Sequence, residues 1–187
     1  VCLSAMASAA DYFAQNRPEF KQKSQNYYQH IRANDLVLTH TLLNLQRNRA
    51  PGATPLEDRT DIARSVVKET NAGIIVQGAR VLATLAPLSE EIALYPTASH
   101  MLPNNAPNPT SFAFAIPCDT PGLKFQCRES FDLNRSHFDH PLGSRFEQMD
   151  AVAFFTTVLV PWERLFLLRD FALCYNMHMA TNRHPHA

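Results

Sequence analysis

Residues 36–49, Leu36-Val37-Leu38-Thr39-His40-Thr41-Leu42-Leu43-Asn44-Leu45-Gln46-Arg47-Asn48-Arg49, change character halfway. The first eight are apolar or β-branched, with no Gly or Pro, and predict a buried strand. His40 stands at its centre between Thr39 and Thr41, whose hydroxyls can bond to neighbouring strands. Amides and guanidinium groups then dominate at Asn44, Gln46, Arg47, Asn48 and Arg49, before Ala50-Pro51-Gly52 opens a loop. Arg presents a planar fork of donors that matches phosphate, and Asn and Gln both donate and accept. Histidine is the side chain best suited to move a proton near neutral pH. The stretch therefore suits an anionic ligand reaching a buried reactive ring. Residue chemistry alone also allows a satisfied core histidine and a solvated rim of Arg and Asn.

On the N-terminal side the period is helical. Leu3, Met6, Ala7, Ala10 and Phe13 predict a helix over residues 3–15. Pro18 fits a first helical position, and Phe20, Ser24, Tyr27, Tyr28 and Ile31 predict a second helix to about Asn34. On the C-terminal side strands follow one another. After a Pro/Gly/Asp loop over residues 51–59, the runs 65–70 and 74–77 flank Asn71-Ala72-Gly73, a hairpin signature. The second arm continues to Pro87. Its small residues around Leu82 to Thr84 leave backbone open to a flat ring, or to tight packing on a helix. Further strands are predicted at 92–95, 111–116, 123–127 and 151–160, with a turn over 117–122 and irregular structure over 131–149. The proline-rich loop 96–109 holds Thr97, Ser99 and His100, and its length points to function or disorder. The last predicted element is a helix over 165–179. Helices, then strands, then a helix argue α+β, against a βαβ dinucleotide fold. No phosphate-binding glycine motif or nucleophile elbow is present.

The whole-chain balance agrees. Seventeen basic and seventeen acidic residues cancel, so nucleic acid and anionic membranes are poor partners. No apolar run approaches the roughly 20 residues of a membrane helix. The start shows neither a leader pattern nor an initiator Met, and a cytoplasmic fragment is expected. Cys2, Cys118, Cys127 and Cys174 are scattered, which predicts free thiols rather than a zinc or iron–sulfur site. His137-Phe138-Asp139-His140 is the best local metal candidate, but it lacks a helical ligand frame, and no metal is expected.

Two segments together carry a resemblance. Lys68 to Pro87 combines a Gly73 turn, Gly78-Ala79-Arg80 and Thr84; residues 152–164 end in Val158-Leu159-Val160-Pro161-Trp162-Glu163-Arg164. This pairing resembles the middle domain of the acyl-CoA dehydrogenase-like flavoproteins. With Leu38-Thr39-His40-Thr41, residues 115–124 and Asp139-His140-Pro141-Leu142, it is similar to the oxygenase components of two-component 4-hydroxyphenylacetate monooxygenases. The resemblance covers nearly the whole chain in order. It implies the end of an N-terminal helical domain over 1–35, a middle β-barrel domain over 36–163 and the start of a C-terminal helical bundle from 164. It also implies hydroxylation of a phenol ortho to its hydroxyl, using O2 and reduced FAD from a separate flavin reductase, in a homotetramer. By the same match His40 is catalytic and touches the phenolic oxygen. Gln46, Arg47, Asn48 and Arg49 hold flavin, Leu82, Ala83 and Thr84 lie by its ring, and Thr97 belongs to a loop over substrate. The family's Arg-x-x-x-Tyr segment is expected before Val1, and its bundle after Ala187. Thr156-Thr157 and Leu45 depart from the residues usual at those places.

Overall fold

The computed structural model describes residues 2–44, 65–96, 111–131, 136–143, 145–146 and 148–181. Three helices come first: α1 (Cys2–Ser8), α2 (Ala10–Phe13) and α3 (Glu19–Asn34). The predicted first helix is thus split, and Pro18 sits at the N-cap of α3, one place before the helix proper. Phe20, Ser24, Tyr27 and Ile31 form the buried stripe of α3, at the spacing of one helical face. Asp35, in the left-handed region at φ 51°, ends the helix and turns the chain into strand.

Nine strands follow among the described residues: β1 (Leu38–Thr41), β2 (Leu43–Asn44), β3 (Ser65–Thr70), β4 (Gly73–Thr84), β5 (Glu91–Leu94), β6 (Phe112–Pro117), β7 (Leu123–Cys127), β8 (Asp150–Pro161) and β9 (Leu165–Leu168). Among the described residues they form two sheets and no closed barrel. One sheet has the order β1-β5-β6-β9; in the other β4 and β8 are central, with β7 beyond β8. β2 and β3 share the outer edge of β4, at Arg80–Val81 and Gly73–Gln77. All pairings are antiparallel except β1 with β5. Ile92, Leu94, Phe112, Phe114 and Ile116 of the first sheet are buried, and Phe114 meets Phe155 of β8 edge-on, 6.3 Å between ring centroids. No described helix is long and apolar enough to cross a membrane.

The β3–β4 hairpin forms where the alternation and Gly73 predict it. Gly73 lies so close to β8 that an added Cβ would stand 2.0 Å from the Val160 carbonyl oxygen. Gly73→Ala is therefore expected to destabilise the fold by about 2–4 kcal/mol through backbone displacement. A lowered urea midpoint would show this, and an unchanged one would refute it.

Residues 165–168 correct the sequence reading, which placed a helix there. Leu165, Phe166, Leu167 and Leu168 are all buried and form β9, paired with β6. Four consecutive apolar positions fit a strand covered on both faces better than one stripe of a helix. Phe166 packs on Tyr27 of α3 at 5.2 Å. Arg169, at φ 55°, breaks the strand. The side chain of Asp170 then caps α4 (Phe171–Ala180) by accepting from the Leu173 N–H at 2.9 Å.

Candidate functional site

The segment 38–44 joins the two sheets. β1 pairs with β5 in one, β2 pairs with β4 in the other, and only Leu42 lies between. The corner is pinned by Arg80, whose guanidinium is buried and donates to the Leu42 carbonyl at 2.7 Å. Burial pulls this guanidinium down to about 10. The two threonines complete the clamp: Thr39 donates to the Thr84 carbonyl at 2.6 Å, and Thr41 to the Val81 carbonyl at 2.7 Å.

That clamp decides where His40 points. Side chains alternate along a strand, so with Thr39 and Thr41 turned in towards β4, His40 turns the other way. It is exposed, not buried in a hydrophobic strand as the sequence suggests. Its ring lies 6.2 Å from that of buried Tyr95. In-register neighbours share a face, so Leu38, Glu91 and Ala93 line the same side of the sheet as His40. This is the side that α3 covers. There Glu91, almost fully buried, accepts from Arg164 at 2.9 and 3.0 Å and from the Tyr27 hydroxyl at 3.1 Å. The His30 ring stands 3.7 Å from the same carboxylate. Burial, reinforced by the adjacent Glu91 charge, pushes the Tyr27 hydroxyl far up and keeps it a donor.

Leu82, Ala83 and Thr84 lie where β4 bulges. The register with β8 slips between Arg80 and Ala83, and Leu82 takes φ 61° with half of its surface exposed. Ala83 is fully buried, while Thr84 is half-buried and its hydroxyl donates to the Asp150 carboxylate at 2.5 Å. Exposed Leu43, whose in-register partner is Val81, extends the apolar rim beside the bulge. The structure thus brings the His40 strand and the Leu82–Thr84 edge into direct contact, with His40 on the far face of β1. Gln46, Arg47, Asn48, Arg49 and Thr97 lie outside the described residues. The sequence reading gave no site role to Glu91, Arg164 or Asp150, and set Tyr27 in the core. Glu91 at the start of an apolar run, and Asp150 at the start of another, were the available signals. His137 and His140 lie on a surface turn, and no described group of three or more His, Cys, Asp or Glu gathers as a metal site. Cys118 is half-buried, and burial, aided by Glu91, Asp119 and Glu90, pushes its thiol up to about 12.

Helices on one side, two packed sheets and a bulged strand edge make this an acyl-CoA dehydrogenase-like α+β fold. An archaeal 4-hydroxybutyryl-CoA dehydratase from N. maritimus shares it at TM-score 0.75 over 92% of this chain and 35% of that one, with 18% identity, a likeness of fold alone. The sequence goes further: residues 1–167 match the family model described as 4-hydroxyphenylacetate 3-hydroxylase N terminal, and the chain belongs to that family. The 4-hydroxyphenylacetate 3-monooxygenase oxygenase component of Geobacillus sp. is 42% identical over 97% of this chain and 36% of its own length. The crystal structure of the oxygenase component HpaB complexed with FAD and 4-hydroxyphenylacetate superimposes at TM-score 0.81, with 43% identity over 96% of this chain and 36% of that one. The chain thus spans little more than a third of the length of these relatives.

Proposed function

We propose that this chain carries the middle part of the flavin and phenol site of a two-component monooxygenase, which hydroxylates a 4-hydroxyphenylacetate-like phenol ortho to its hydroxyl. The observation that supports it best is the β1 clamp. It holds an exposed imidazole on one face of the strand and fixes the bulged Leu82–Thr84 edge against the other. The residues present fit a flavin. Leu43 and Leu82 offer exposed apolar contact to a flat ring, and the Thr84 hydroxyl is a polar atom at its border. Bound reduced FAD, delivered by a separate reductase, supplies the two electrons with which O2 is split between the ring and water.

The chain's own residues do the rest. His40 holds the proton of the phenolic oxygen and so raises the electron density of the ring. Tyr95 backs its imidazole. Gln46, Arg47, Asn48 and Arg49 hold the polar arm of FAD, and Thr97 closes over the substrate. Residues 1–35 act as the end of a helical domain. The β domain runs from residue 36 to about 168, because β9 continues the first sheet past residue 163. A cytoplasmic homotetramer completes the reading.

The test uses the full-length enzyme with reduced FAD, O2 and 4-hydroxyphenylacetate, scored by catechol formation. Absence of both flavin binding and product would overturn the proposal. Arg47→Ala with Arg49→Ala is expected to weaken FAD about tenfold or more, and riboflavin little, since charge-assisted bonds are lost only to the phosphates. Equal weakening of both ligands would show that the arginines serve another purpose.

A further inference from the structure

Thr84 closes the last pair of the β4–β8 ladder, opposite Asp150. Its carbonyl and its hydroxyl are both engaged, in opposite senses. The carbonyl accepts from Thr39 at 2.6 Å, and the hydroxyl donates to Asp150 Oδ1 at 2.5 Å. Asp150 is itself fixed, since its carbonyl accepts from the Arg128 N–H at 3.0 Å. One residue on, the Leu85 N–H donates to the Met149 carbonyl at 2.7 Å. Both side chains are half-buried.

A threonine hydroxyl has one proton and two lone pairs, while an ionised carboxylate can only accept. With the proton committed to Asp150, only the lone pairs of Thr84 Oγ1 remain for a ligand. We propose that Asp150 is a positioning residue that makes the Thr84 hydroxyl an obligatory acceptor, and so selects the reduced over the oxidised form of the flavin. This rests on the reading that Leu82–Thr84 lie at the edge of the isoalloxazine ring. The chemistry that separates the two forms is general. Reduced isoalloxazine carries ring N–H donors where the oxidised ring has bare acceptor nitrogens. An acceptor-only hydroxyl pairs with the first and opposes the second. Were Asp150 absent, the hydroxyl would rotate and donate to the oxidised ring as readily as it accepts from the reduced one. The preference comes from the carboxylate behind the threonine, which never touches the ligand.

The experiment measures dissociation constants of oxidised FAD, and anaerobically of reduced FAD, for the full-length enzyme and for Asp150→Ala, Thr84→Val and the double variant. Asp150→Ala is expected to reduce the preference for reduced FAD by about tenfold, the scale of one hydrogen bond gained or lost. Thr84→Val should do the same, and the double variant no more than either alone, because both remove one device. If Asp150 merely staples the strand end, its removal shifts both affinities equally, or adds in full to Thr84→Val; either result overturns the proposal. If Asp150→Ala does not fold, Asp150→Asn keeps the shape. Its amide oxygen can still accept from Thr84 while its NH2 can donate instead, so the preference should fall part of the way; Thr84→Val then decides, and a preference unchanged there refutes the idea. A wild-type enzyme that binds neither form would instead overturn the flavin reading itself.

Discussion

His40→Ala in the full-length enzyme is expected to lower the hydroxylation rate by about 100-fold or more, while the affinity for FAD stays within about twofold of wild type. The first figure is the usual contribution of a group that moves or holds a proton in the rate-determining step. The second follows from the strand. His40 faces away from the Thr39–Thr41 clamp, so its loss leaves the bonds to Thr84 and Val81 and the Leu82 bulge in place. Reduced FAD should still be consumed, with O2 ending as hydrogen peroxide instead of being divided between catechol and water. The ratio of peroxide to catechol is therefore the measurement. A variant that makes catechol at the wild-type rate removes His40 from the chemistry.

Arg164→Met is expected to cost about 3–5 kcal/mol of stability, because it strands a buried carboxylate. Glu91 is almost fully enclosed, and Arg164 is its nearest charged partner at 2.9 and 3.0 Å; without it only the Tyr27 hydroxyl at 3.1 Å and the partly exposed His30 ring at 3.7 Å face the carboxylate. Met keeps the aliphatic volume over the Tyr27 ring, where the guanidinium sits 5.5 Å from the centroid, so lost packing is a small part of the effect. Glu91→Gln combined with Arg164→Met should recover much of the loss, since no unpaired charge is then buried. Chemical denaturation of the single and double variants reads this directly. A single variant within 1 kcal/mol of wild type would show that the pair contributes little.

The parts of the fold that were legible in the sequence are those that short-range pattern determines. Phe20, Ser24, Tyr27 and Ile31 give α3 by their spacing, Gly73 gives the hairpin, and the β-branched or aromatic runs give β3, β4, β6 and β8 within a few residues. The misread parts depend on distant partners. Leu165–Leu168 looks like the start of a helix until β6 is present to pair with it. His40 looks buried until Thr39 and Thr41 claim the inward face by bonding to β4, 40 or more residues away. Of the candidate site, residue type singled out the imidazole and the resemblance proposed the Leu82–Thr84 edge; the bulge there and its bond to the His40 strand came only with the fold. The Glu91–Arg164 pair joins positions 73 residues apart, and no local pattern announces it.

The parallel pairing of β1 with β5, the one such pair among the described residues, also bears on the order of assembly. Val37 and Glu90, at the head of that pairing, are 53 residues apart, whereas β3 and β4 meet across a tight turn. Closing the longer loop forfeits more chain entropy before any contact compensates for it. The β3–β4 hairpin can form while residues 36–41 still wander. β1 can dock only onto a β5 already placed and a β4 already bulged. His40 is therefore expected to reach its place after the β3–β4 hairpin has formed, so that amides of residues 38–41 gain protection from hydrogen exchange later than those of residues 73–77.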